Sequence, residues 1–172
     1  MNESELERLF REYHLPLVRF LTRQLGDRDR AEELSQETFL RALRQETLTN
    51  ERAWLFTVAN NLVRDEARRD TRRRHHLQLL QAEERAREME TAPQPVESAE
   101  DAALARQALG MLAERDRQAL LMREEGLDYN EIAEALSLSV GSIGTTLARA
   151  RRRLVEAYEA LQGSAGASHA AS

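Results

Sequence analysis

The sequence predicts an all-α protein, with two small helical domains joined by a flexible acidic linker and a helix-turn-helix as the C-terminal domain. Three observations lead there. Apolar residues recur at helical spacing through most of the chain. Only three prolines and seven glycines interrupt it, and β-branched runs are few. Residues 83–101 are acidic, contain Pro93 and Pro95 and lack periodic apolar positions, which is the composition of a tether. The expected division is a domain over 1–80, a linker over 81–101, a second domain over 102–162 and a small polar tail, 163–172, expected to be disordered.

Residues 4–25 carry an amphipathic stripe of Leu6, Leu9, Phe10, Tyr13, Leu17, Phe20, Leu21 and Leu25. Pro16 lies inside it, so a kink or break is expected near Leu15, and Gly26-Asp27 ends the helix. A second helix from about Asp29 to Arg44 turns Ala31, Leu34, Thr38, Phe39 and Ala42 inward. A third starts near Glu51 after the loop Gln45–Asn50. It is expected to bury Trp54, Leu55, Val58, Ala59 and Leu62, and it continues into the basic run Arg64–Arg74. The second domain opens near Ala102 with Leu104, Ala108, Leu109 and Leu112, and a further helix covers Glu114–Glu124.

Gly126–Leu154 then reads as two short helices joined by a tight turn. Asp128 and Glu131 stand at capping-box spacing, and Ser139 is a good N-cap for the following helix. Val140, Ile143, Leu147, Ala150 and Leu154 form an inward stripe, while Ser142, Thr145, Thr146, Arg149, Arg152 and Arg153 lie mostly opposite. In a helix-turn-helix the second helix enters the DNA major groove, where hydroxyls approach base edges and arginines meet phosphate or guanine. The bland alternative is an amphipathic helix with a solvated arginine face.

Composition narrows the function classes. The net charge is −5, unusual for a DNA binder, but the average hides a pattern: all 25 basic residues are arginine, with two clusters at Arg64–Arg74 and Arg149–Arg153. Local basic patches, more than net charge, set phosphate attraction. The absence of cysteine excludes disulfides, thiol catalysis and cysteine-ligated zinc. No apolar run approaches a membrane span and the N-terminus lacks signal-peptide form, so membrane insertion is not expected and a cytoplasmic protein is. His75-His76 are adjacent and share no helix face, no metal-ligand spacing occurs, and there is no phosphate loop or nucleophile elbow. The reading is of a protein that is not an enzyme and needs no metal or cofactor.

Two further faces are chemically suggestive. On the third helix Thr57, Asn60, Asn61, Arg64 and Arg68 are expected opposite Trp54 and Leu62; amides beside arginines suit a splayed single strand, although Asn60-Asn61 can equally be solvated polar positions. On the second helix Glu33, Gln36, Glu37, Leu40 and Arg44 set one leucine among carboxylates and amides, a pattern open to protein docking or to a plain salt-bridged surface.

Taken together, DRDRAEELSQETFLRALR, RAWLFTVANNLVRDEARRDTRRR and MLAERDRQALLMREEGLDYNEIAEALSLSVGSIGTTLARARRRL resemble, in order and spacing, bacterial sigma factors of the extracytoplasmic-function class. The resemblance implies core RNA polymerase and promoter DNA as partners, with an anti-sigma factor as a further one. It implies that Glu33, Gln36, Glu37 and Leu40 dock on the polymerase clamp. Asn61 would help hold a flipped −10 base, selected by the loop over 45–53, with Arg64, Arg68 and Arg69 on the strand backbone. Ser142, Thr145, Thr146, Arg149 and Arg152 would read the −35 duplex. The chain departs from many such proteins at Gly144-Thr145-Thr146, where they carry a lysine or arginine. Gly141 and Gly144 each weaken the helix by about 1 kcal/mol relative to alanine. The alternative is a stand-alone helix-turn-helix regulator; a helical adaptor without DNA contact is a more distant one.

Overall fold

A computed structural model describes the backbone of residues 1–77 and 99–170 and the side chains of 1–70, 100–168 and 170. Every regular element among the described residues is an α-helix. The chain divides into two compact units, Met1–Ala92 and Pro93–Ser172.

The first unit packs three helices against one another, α1 (Glu3–Leu25), α2 (Arg28–Leu43) and α3 (Glu51–Leu77). Helix α1 begins at a capping box: the Glu5 N–H donates to Asn2 Oδ1 at 2.8 Å, and the Asn2 N–H donates to Glu5 Oε2 at 3.0 Å. It ends at Gly26, whose φ of 69° is the left-handed conformation that glycine takes at little cost. Of the kink or break expected near Leu15, the break does not occur: α1 is continuous through Pro16. A mid-helix proline costs about 3 kcal/mol, whereas the flanking turns bury Leu9, Leu17, Val18, Phe20 and Leu21, each contributing roughly 1.5–3 kcal/mol. Tertiary packing therefore outweighs the local defect.

Asp27 caps α2 by accepting the Arg30 N–H at 3.1 Å. Ala31, Leu34, Phe39 and Ala42 face inward as expected. Helix α3 buries Ala53, Leu55, Phe56, Ala59, Leu62 and Val63, with Phe56 edge-on to Phe20 at 5.1 Å between ring centroids. Trp54 and Val58, expected in the core, are only half-buried. The buried stripe is turned toward Phe56 and Val63, two apolar positions that the expected stripe omits.

In the second unit α4 (Ala99–Gly110), α5 (Glu114–Glu124) and α6 (Tyr129–Leu136) all pack on α7 (Val140–Ala170). Leu112, Met122, Leu127, Ile132, Leu136, Ile143, Leu147 and Ala150 form its buried centre. Helix α4 starts at Ala99, so residues 99–101 belong to it and not to the expected linker; 81–98 lie outside the described residues. The tail also differs from expectation, because α7 continues through 163–170. Extending an existing helix costs far less than nucleating one, and Ala160, Ala165, Ala167 and Ala170 favour it.

Candidate nucleic-acid interface

The helix-turn-helix is built as its capping residues dictate. Asp128 accepts the Glu131 N–H and Glu131 accepts the Asp128 N–H, both at 2.8 Å, which starts α6. Ser137 ends α6 at φ 54°, a left-handed position. Leu138 follows, its N–H reaching the Ala133 carbonyl at 2.9 Å, and α7 leaves at Val140. Val140 itself is 46% exposed, so the inward stripe of α7 begins at Ile143.

The candidate DNA-reading residues do not all share one environment. Thr145 and Arg152 are exposed. Ser142 is half-buried, its hydroxyl donating to the Ser139 carbonyl at 2.8 Å. Thr146 is not on this face: it is 6% exposed and its hydroxyl donates to the Ser142 carbonyl at 2.8 Å. The physical reason is the period of the helix. Thr146 lies three residues after Ile143 and one before Leu147, so it falls on the edge of their buried stripe. The Gly144 site is open, since a Cβ there would meet only the Tyr129 ring, at 3.7 Å. Tyr129 is itself 41% exposed and lies 5.6 Å from the Arg123 guanidinium, an aromatic–arginine pair beside the start of α7.

Arg149 is held from below. Its Nε donates to Asp116 Oδ2 at 3.1 Å and its Nη2 to Asp116 Oδ1 at 2.7 Å, while Arg153 Nη1 donates to Oδ2 at 3.2 Å. Asp116, in the first turn of α5, is 1% exposed. Hydrogen bonding from Arg149 holds its carboxyl below the usual carboxylate range, aided by the charges of both arginines and opposed by burial. The same bond raises the Arg149 guanidinium. Nothing in the sequence singles out Asp116 among the neighbouring acids of Glu114–Glu125.

On α3 the structure separates the two asparagines. Asn61 is exposed, whereas Asn60, expected beside it, is fully buried; its Oδ1 accepts from Gln24 Nε2 at 3.4 Å. Arg64 is half-buried, and Arg68 and Arg69 are exposed. The remainder of the basic run, including His75-His76, has side chains outside those described. Arg30 of α2 pairs with Glu66 of α3 and with Glu33, tying α2 to the candidate strand-binding helix.

The α2 face is accessible: Glu33, Gln36 and Leu40 are exposed and Glu37 half-buried. Leu40 is 55% exposed, and Leu43, which sequence reasoning passes over, adds a second apolar side chain at 45%. Glu37 accepts from Arg41 Nε at 2.8 Å. Among the described residues no group of His, Cys, Asp and Glu has an arrangement that would hold a metal ion, and no helix is long and apolar enough to cross a membrane.

Known proteins place this geometry in a family. Residues 9–73 match the family model for sigma-70 region 2, and residues 102–154 that for sigma-70 region 4. The chain is 33% identical over 153 residues to the ECF RNA polymerase sigma factor SigL of Mycobacterium tuberculosis, covering 85% of this chain and 84% of that one. It is 32% identical over 157 residues to the ferric citrate uptake sigma factor FecI of Escherichia coli, covering 84% and 85%. The fold is that of the sigma factor RpoE from Bartonella quintana, solved with the anti-sigma factor NepR: the TM-score is 0.64 at 23% identity, over 87% of this chain and 95% of that one. An α2 face open to a partner, a helix-turn-helix with an arginine-bearing second helix, and matches to both sigma-70 regions in order lead to one conclusion: the chain belongs to the extracytoplasmic-function class of sigma factors, the DNA-binding subunits that direct RNA polymerase to specific promoters.

Proposed function

We propose a division of labour in which residues 1–80 dock on the polymerase clamp and capture the −10 strand, while residues 102–162 bind the −35 duplex. Glu33, Gln36, Glu37 and Leu40 form the docking face, Asn61 holds a flipped −10 base, and Arg64, Arg68 and Arg69 follow the strand. Ser142, Thr145, Arg149 and Arg152 meet the −35 element; Thr146, being buried, serves α7 packing. Residues 81–98, ahead of the start of α4 at Ala99, act as the tether. The protein works in the cytoplasm, without catalysis of its own and without a cofactor.

The observation that carries this reading is the exposure of Leu40 at 55% amid Glu33, Gln36 and Glu37. A monomeric fold gains nothing from an apolar side chain in water, whereas a desolvated leucine at an interface contributes about 1.5–3 kcal/mol. Two small domains on a tether also bind DNA tightly only when a scaffold holds them at the right spacing, and core polymerase supplies one.

The test is run-off transcription with core enzyme from promoters mapped by start-site sequencing after overexpression. The wild-type chain is expected to give discrete transcripts, and Leu40→Asp to lose both core binding and transcript. Tight dimeric binding to an operator without polymerase would instead establish a stand-alone regulator. An anti-sigma factor covering the Glu33–Leu40 face is the third partner in this reading. Affinity purification from the native cell tests it, and recovery of polymerase alone would overturn that part.

A further inference from the structure

Asp116 is chemically conspicuous. It is a carboxylate 1% exposed to solvent, placed under the middle of the candidate DNA-reading stripe of α7. Ser142, Thr145, Arg149 and Arg152 follow one another at intervals of three, four and three residues, which keeps them on one helical face. Arg149 is thus flanked on both sides by accessible members of that stripe, and it is the one that Asp116 grips.

The geometry of the grip matters. Asp116 takes the Nε edge of the guanidinium, through Nε and Nη2. Guanidinium is a rigid plane, so two parallel bonds along one edge fix the direction of the whole group. The outer fork, made by Nη1 and the second N–H of Nη2, is the edge that a bidentate arginine offers to guanine O6 and N7. Arg153, one turn further along α7, shares Oδ2 at 3.2 Å and so brings a second cation to the same carboxylate. A long side chain with several rotatable bonds is thereby ordered before any ligand arrives, which lowers the entropy cost of binding.

We propose that Asp116 is a positioning residue for promoter recognition: it fixes the guanidinium of Arg149 so that its outer fork meets one base pair of the −35 duplex. This rests on the reading that α7 faces that duplex. A simple electrostatic view gives the opposite outcome, because removing a buried negative charge leaves the surface more basic and strengthens attraction to phosphate.

The test uses the full chain assembled with core polymerase and a promoter library randomised across the −35 element, scored by transcript abundance. Arg149→Ala is expected to erase preference at one base pair. Asp116→Asn is expected to weaken discrimination at that same base pair by about tenfold, and to add nothing in the Arg149→Ala background. Arg149→Lys keeps the charge and an ion pair to Asp116 but has no fork; it should lose the same preference in a protein whose melting temperature is close to wild type. A loss of transcript that is uniform over the library, tracking a lower melting temperature, would mark Asp116 as a packing residue and overturn the proposal. So would a wild-type preference profile or stronger −35 binding in Asp116→Asn. If the wild-type chain has no −35 preference, or Arg149→Ala changes none, the reading of α7 as the −35 helix falls, and the proposal with it.

Discussion

The two arginine runs of this chain look alike in sequence and are built differently. On α3, Arg68 and Arg69 are exposed, and ion pairs to the helix come from arginines of other helices, Arg30 of α2 on Glu66 and Arg8 of α1 on Glu51. On α7 the helix's own arginines, Arg149 and Arg153, are drawn onto a buried acid of α5. The first arrangement leaves arginine stems to adapt, which suits a melted strand of irregular path. The second orders a guanidinium in advance, which suits a regular duplex groove. An arginine-rich stretch thus leaves its guanidiniums adaptable or holds some of them in place, according to whether a buried carboxylate lies beneath it.

The contrast is most vulnerable at the platform under α7. Leu147 of α7 is fully buried against it, and Leu147→Ala should destabilise the second unit by about 2–5 kcal/mol. Chemical denaturation followed by circular dichroism checks this, and a decrease below about 1 kcal/mol would mean α7 is not held as described.

A smaller effect should appear on acidification. The folded Asp116 carboxyl titrates below its ordinary value of 3.8 because Arg149 donates to it. A lowered folded value means that its stabilisation is complete above about pH 4 and is lost as the pH falls through the lower, folded value. The stability difference between wild type and Asp116→Asn should therefore shrink over that acid range, measured as melting temperature against pH. A difference that stays constant down to the most acid point would show that the ion cluster is not its source.

The smallest stability change belongs to the α3 fringe. Arg68→Ala and Arg69→Ala should each alter stability by no more than about 0.5 kcal/mol. Each should nevertheless lower the salt slope of single-strand binding by roughly 0.7 for every phosphate that the arginine no longer neutralises. An unchanged slope in both variants would remove these residues from the strand path.

Much of the fold is legible in the chain because local and tertiary signals agree. The Asp128–Glu131 capping box, the Gly26 stop and the inward Ile143–Leu147–Ala150 stripe each follow from short-range chemistry, and each forms as expected. The misplacements occur where a position lies between stripes. Asn60, Trp54 and Thr146 are each one residue away from a core position, Ala59, Leu55 or Leu147, where the choice between core and surface depends on how neighbouring helices are rotated. At Pro16 both the local penalty and the apolar stripe of Leu9, Leu17, Phe20 and Leu21 are visible in the chain; that the burial of the stripe outweighs the penalty and keeps the helix continuous is decided by packing.

The helical class, the order of the two sigma-70 regions and the residue types of the candidate docking and DNA-binding faces are written in the chain alone, because periodicity, capping and motif order are local properties. Which of those residues are exposed and which are buried or gripped is settled by packing. Asp116 and Arg149 are 33 positions apart, and no local rule connects them. Their pairing exists because α5 and α7 pack side by side, excluding water from a carboxylate that then requires a cation.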